Sequence, residues 1–302
     1  MALSHGVGLC CTGAVRGQMT ARGASLRVRG AALHYTVRGA GPPLLVIQGG
    51  ARDADRTAAL AHRLASTYQV VAYDRRGLRR SRVDDPTEAV SIETHSDDAH
   101  RLLAAVTEQP AFVFSSSLGA LIGLDLVATH PEQVRLLVAH EPLFAELLAG
   151  PERRDLKAAQ RELEEIFSRV GILGAMAKLA ALTGDAEAPD PEARKLADLR
   201  FFLGNDVSAA RRYRLKLPAL RSAAARIVAG AGTASGETLL RRCAEGLAER
   251  LSCPLVEFPG GHSGYVSVPD AFAATLRDAL IAHDPQPGPT TLGITTSLPR
   301  DG

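Results

Sequence analysis

The stretch Phe112-Val113-Phe114-Ser115-Ser116-Ser117-Leu118-Gly119-Ala120 constrains the fold more than any other part of the chain. An apolar run suited to a buried strand stops at three serines. Helix-like spacing (Leu118, Leu121, Ile122, Asp125, Leu126) begins at once. Strand, sharp turn and helix form the context that a nucleophile elbow of form Gly-x-Ser-x-Gly requires. Here the pattern is Ser115-x-Ser117-x-Gly119, with a small residue still in first place. Small residues are needed because strand and helix backbones nearly touch around a strained turn. The turn lifts the middle hydroxyl clear of the sheet and onto the positive end of the helix. A serine-rich loop with a serine N-cap leaves a similar trace, so the remaining chain must decide between the two.

On both sides of this stretch strand-like and helix-like segments alternate. Ser25–Val28 and Ala31–Val37 read as a hairpin turning at Gly30. Leu44–Ile47 is continuously apolar, as in a strand buried on both faces. Asp55–Ser66 suits a helix, Val70–Tyr73 a strand, Ile92–Val106 a helix and Val134–Ala139 a further strand. From about Leu143 to Ala223 the rhythm changes to helical periodicity alone, with Leu163, Ile166, Phe167 and Val170 on one face. Alternation resumes with Ile227–Gly230, a helix through Leu239, Cys243, Leu247 and Leu251, the strand Leu255–Phe258 and a last helix through Phe272, Leu276 and Leu280. Such alternation implies a mostly parallel sheet with helices on both faces and an antiparallel edge from the opening hairpin. The expected layout is a core over 23–142 and 224–284, with a helical cap inserted over 143–223. A disordered extension is expected over 1–22, with Met19 as an alternative start, and a disordered proline-rich tail over 285–302.

Composition closes off several function classes. The chain has 302 residues with 35 basic and 33 acidic side chains, a balance that does not point to nucleic acid or an anionic membrane. No apolar run reaches the ~18 residues of a membrane span. The four cysteines (Cys10, Cys11, Cys243, Cys253) have neither metal-ligand spacing nor the density of a disulfide scaffold. A cytoplasmic setting and no metal are therefore expected.

A serine hydroxyl is a poor nucleophile at neutral pH and needs a base within hydrogen-bond reach, itself oriented by a third group. His262 is the leading base. It lies in Pro259-Gly260-Gly261-His262-Ser263-Gly264, directly after the last strand. In open parallel sheets ligand sites gather beyond the carboxyl ends of strands, and Ser117 and His262 both fall at such ends. A developing oxyanion also needs donors. The amide of Leu118 follows the nucleophile, and Gln48-Gly49-Gly50 brings a second amide, that of Gly50, from the loop after Leu44–Ile47.

From about Ser25 to His283 the chain resembles the α/β-hydrolase superfamily. The resemblance rests on the Gln48-Gly49-Gly50 loop, the Tyr73-Asp74-Arg75-Arg76-Gly77 turn, the Ser115–Gly119 elbow and the Gly260-Gly261-His262 loop, in that order and spacing. It implies the α/β-hydrolase fold, a Ser-His-acid triad, a capped pocket over the strand ends and no cofactor. Gln48 stands where such proteins usually have His, and the elbow lacks its first Gly. In the common layout the acid follows the strand that is here Ile227–Gly230, yet the loop Ala231-Gly232-Thr233-Ala234-Ser235-Gly236-Glu237 has no Asp. Three options stay open: Glu141, at the strand end Val138-Ala139-His140-Glu141-Pro142 where some relatives carry their acid; Glu237; or no orienting acid.

The expected activity is a serine hydrolase acting on an ester, thioester or similar carbonyl substrate through an acyl-enzyme. A weakly active or non-catalytic binding protein of the same fold, and an acyltransferase, are the alternatives. The expected partner is a small hydrophobic carbonyl compound met by Phe167, Leu173, Met176, Phe201 and Phe202 of the cap. Asp125 is expected to be a solvated or capping charge, and Asp74, Arg75 and Arg76 to fix loops.

Overall fold

The computed structural model describes residues 21–184 and 193–285. The expected extension and tail thus lie almost wholly outside the described residues, although Arg22 already belongs to the first strand. One sheet of nine strands organises the protein: β1 (Arg22–Val28), β2 (Ala31–Arg38), β3 (Pro43–Ile47), β4 (Gln69–Tyr73), β5 (Arg82–Val83), β6 (Ala111–Ser116), β7 (Val134–His140), β8 (Ile227–Gly232) and β9 (Leu255–Phe258). Their order is β1-β2-β4-β3-β6-β7-β8-β9, with β5 on β2. All pairings from β4 to β9 are parallel, and those made by β2 are antiparallel. The two-residue strand β5 left no trace in the sequence pattern, because its pairing with Ala31 and Ala32 is purely tertiary.

Successive side chains of a strand point to opposite faces, so the apolar runs serve two cores. Leu45, Ile47, Val113, Leu137 and Ala139 face helices α2 (Ile92–Val106), α3 (Leu118–Thr129) and α9 (Leu239–Leu251). Leu44, Val46, Phe114, Leu136 and Val138 face α1 (Ala58–Leu64) and α11 (Pro269–Ala282), which follows the one-turn α10 (Gly264–Ser267). Leu44 and Leu45 are both fully buried. Each such burial is worth roughly 1.5–3 kcal/mol, so neither face of the sheet tolerates water. Ser91 caps α2 through the Thr94 amide and Thr238 caps α9 through the Arg241 amide, which sets where those helices begin. The helix expected over Asp55–Ser66 is instead a short 3₁₀ turn, Ala54–Thr57, leading into α1. Asp53 caps that turn by accepting from the Arg56 amide.

Between β7 and β8 the described residues hold no strand. They form α4 (Gly150–Arg169), α5 (Ile172–Thr183), α6 (Ala193–Phe201), a π-helical segment Phe202–Asp206, α7 (Val207–Arg212) and α8 (Leu217–Ser222). This helical insertion lies over the carboxyl ends of the strands, where the cavity described next is found. No helix among the described residues is long and apolar enough to cross a membrane.

Asp125 departs from the sequence expectation. It is buried on α3, accepts from the Tyr213 hydroxyl at 2.9 Å and pairs with Lys216 Nζ at 2.8 Å. A charge surrounded by apolar sequence looked solvated because its partners come from the insertion, 88 or more residues away. Asp125→Ala leaves a buried hydroxyl without its acceptor. It is expected to lower the unfolding free energy by about 2–3 kcal/mol, read from urea midpoints. A change below about 0.5 kcal/mol would contradict this account.

Candidate active site

Ser117 lies between β6 and α3 with φ 56° and ψ −121°, a conformation that L-residues rarely adopt. Holding it there costs about 1–3 kcal/mol. The Ser117 amide donates to the His140 carbonyl at 2.9 Å, and the Ser117 carbonyl accepts from the Ala120 amide at 3.0 Å. The glycines around it follow from close approach. A Cβ on Gly119 would sit 2.4 Å from the Ile47 carbonyl oxygen, and one on Gly49 would sit 2.6 Å from Ser117 Cβ. The serine at the first elbow position has its own compensation: a Cβ on Gly123 would fall 2.7 Å from Ser115 Oγ. The space left by the missing side chain of Gly123 takes up the hydroxymethyl of Ser115.

His262 follows β9 on a turn whose Gly260 has φ 84°. Its Nδ1 lies 2.9 Å from Glu141 Oε2, and both side chains are buried. Glu141 sits directly after β7 with φ 44°, pinned by its own amide donating to the Gly230 carbonyl at 2.9 Å. Its other oxygen, Oε1, accepts from the Gly232 amide at 2.8 Å. Burial works against the charge on Glu141. The hydrogen bond from His262 and the charges of His140 and His262 outweigh it and lower the pKa to about 2. With Nδ1 donating to a carboxylate, a neutral imidazole keeps its lone pair on Nε2.

Ser117 and His262 line one cavity of about 350 Å³, together with Gly50 and Leu118. Glu237 is exposed on the loop after β8. The carboxylate that meets His262 therefore comes from the end of β7, one strand closer to the elbow than β8. The insertion supplies Leu163, Met176, Leu179, Leu199, Phe202 and Val207 to the wall. Of the five cap residues expected there, Met176 and Phe202 line the cavity. Leu173 is exposed, and Phe201 instead covers Gly77, where a Cβ would meet its ring at 2.2 Å. Helical period identifies an apolar face but not what that face meets.

A charged group at the cavity wall went unnoticed in the sequence. Arg79 Nε donates to Asp53 Oδ2 at 2.6 Å and lies 3.8 Å from Asp198 of α6. The cluster of arginines after Asp74 was a signal that this turn is unusual, but nothing local named its partners.

Residues 42–198 match the family model described as serine aminopeptidase, S33. An uncharacterized hydrolase, YraK, of Bacillus subtilis is 41% identical over 268 residues, covering 87% of this chain and 97% of that protein. The chain belongs to the α/β-hydrolase superfamily. A putative carbamate hydrolase, RutD, of Azorhizobium caulinodans is 35% identical to this hydrolase over 105 residues, which is 35% of this chain and 39% of RutD. Among solved structures, a thermophilic esterase from Thermogutta terrifontis superposes with TM-score 0.68 at 16% identity, covering 89% of this chain and all (100%) of that one. A putative epoxide hydrolase from Pseudomonas aeruginosa gives 0.67 at 21% identity, covering 90% and 98%. At such identities the two structures speak for the fold alone.

The Glu141 carboxyl carries a consequence for acid stability. Its pKa is depressed from 4.5 to about 2 on folding. The stabilisation, on the order of 3 kcal/mol, is fully present above pH 4.5 and is lost as pH falls through that value towards 2. Glu141→Gln is expected to flatten the acid limb of stability over this window, measured by urea unfolding at successive pH values. Parallel acid limbs in the two proteins would contradict the assignment.

Proposed function

We propose that this hydrolase uses Ser117 as nucleophile, His262 as general base and Glu141 as the group that orients the imidazole. The observation that carries the reading is the 2.9 Å His262–Glu141 bond on the wall of the cavity into which the elbow serine opens. Ser117 Oγ attacks the carbonyl carbon while His262 Nε2 takes its proton. The tetrahedral oxyanion is met by the amides of Leu118 and Gly50. Collapse expels the leaving group, which takes the proton from His262. Water, deprotonated by the same imidazole, then attacks the acyl-enzyme; collapse releases the acid and Ser117 Oγ takes the proton back from His262.

The substrate class proposed is a small or medium hydrophobic ester, thioester or related carbonyl compound, with an acyl group matched to the leucine-rich wall. The description of RutD relatives as carbamate hydrolases adds carbamates to the compounds worth testing. The binding-protein alternative rested on the missing Asp after Gly232, and Glu141 meets the imidazole in its stead. An Asp nucleophile, the basis of epoxide-hydrolase chemistry in this superfamily, has no counterpart at position 117. A reducing, cytoplasmic setting is part of the same proposal, in keeping with the buried free thiols of Cys243 and Cys253.

Ser117→Ala is expected to abolish turnover across an acyl-ester panel and to prevent labelling by a fluorophosphonate, with the melting temperature nearly unchanged. Turnover equal to wild type would reject the nucleophile. Glu141→Gln is expected to lose up to ~10⁴-fold in kcat, while Glu237→Gln stays at the wild-type rate. The reverse pattern would move the acid to Glu237.

A further inference from the structure

The turn after β4 joins the glycine loop to the helical insertion through one fully buried side chain, Arg75. Its Nη1 donates to the Gln48 carbonyl, and its Nη2 donates to the Gly50 carbonyl. Nη2 also donates to Asp206 Oδ2 at 2.9 Å, and Asp206 Oδ1 lies 3.0 Å from His95 Nε2. Arg75, Asp206 and His95 have no exposed side-chain surface. The intervening Gly49 carbonyl accepts from the Arg52 amide at 3.4 Å. Three successive carbonyls of the loop are thus each held by a donor. In a trans peptide the N–H points opposite to the C=O. The amides of Gly50 and Ala51 are therefore turned away from those donors, and both residues line the cavity beside Ser117 and Leu118.

The insertion meets the same turn at three places. Asp206 closes the π-helical segment, whose wider turn sends Asp206 to Arg75 while Phe202 and the following Val207 line the cavity. Phe201 lies over Gly77. Asp198 Oδ1 accepts from the Arg79 amide at 2.8 Å. The segment from Asp198 to Val207 is thus anchored on the turn from Arg75 to Arg79, and that turn in turn holds the glycine loop.

We propose that Arg75 and Asp206 are positioning residues for the oxyanion donors: Asp206 of the insertion fixes the guanidinium, and the guanidinium holds the Gln48 and Gly50 carbonyls on either side of the peptide that presents the Gly50 amide. The inference rests on the Ser117–His262–Glu141 reading of the site. It links the cavity wall to the chemistry, because substrate contacts at Phe202 and Val207 reach the glycine loop through Asp206 and Arg75. A guanidinium is suited to this task because its rigid fork serves two carbonyls and a carboxylate at once, which an ammonium cannot match.

Asp206→Asn and Arg75→Lys test it, with two readouts. Kinetics are measured on an ester that the wild type cleaves, with active sites counted by fluorophosphonate. Each variant is expected to lose about 10²-fold in kcat, the size of one missing oxyanion donor, with KM within about threefold of wild type. Peptide-level hydrogen exchange across residues 47–53 is expected to rise about tenfold or more, while β6 and α11 keep their protection. Wild-type kcat in both variants, a loss confined to KM, or a global loss of protection would overturn the proposal and leave Arg75 as a mere anchor of the insertion. Should Arg75→Lys fail to fold, Asp206→Asn alone carries both readouts. Exchange does not depend on catalysis. An unlabelled, inactive wild type would therefore reject the reading of the site, and unchanged exchange in the variants would reject this inference.

Discussion

The structure depends on a backbone approach so close that no side chain fits within it. The loop leaving β3 touches the first turn of α3, with Gly49 against Ser117 Cβ and Gly119 against the Ile47 and Gln48 carbonyls. At the same junction Ser117 takes a positive φ. The contact also brings the glycine loop beside the elbow, so Gly50 and Leu118 share a cavity wall. Overpacking usually costs 1–3 kcal/mol. A methyl group at position 119 would meet backbone, which cannot swing aside as a side chain can.

Buried charge is the second organising feature. Glu141 and Asp206 are fully buried, and each is ionised only because several donors meet it. At Glu141 the donors are His262 and the Gly232 amide, and at Asp206 they are Arg75 and His95. Replacing such groups by apolar residues often leaves a protein as stable or more so, so stability alone does not account for them. Each instead meets a partner brought in from far away in the chain: the His262 imidazole at Glu141 and the Arg75 guanidinium at Asp206. Asp125 with Tyr213 and Lys216 does the same between α3 and the insertion.

The fold was legible along the chain because its signals are local. Leu44–Ile47, Phe112–Phe114 and Leu136–Ala139 are uninterrupted apolar runs inside strands. Buried parallel strands have to look like that, since both of their faces meet helices. The serine and histidine loops could be read for a related reason, as each ends such a run with glycines around a polar side chain. The short strand β5, the π-helical segment and the burial of Asp125 were not legible, because each exists through residues far away in sequence.

The choice of acid shows the boundary most clearly. Residue order supplied two carboxylates near strand ends, Glu141 and Glu237, and local context favoured Glu141, beside Pro142 at a strand end, without excluding Glu237. The packing of β7 between β6 and β8 decided between them for contact with the imidazole. It places the end of β7 next to Gly230 and Gly232, facing the His262 loop, and leaves Glu237 in solvent. The same holds for Arg75, which looked like one arginine among several until Asp206 arrived from 131 residues away. Period and turn chemistry are properties of neighbours in the chain. The pairing of a charge is a property of neighbours in space, and only the assembled sheet with its insertion creates those.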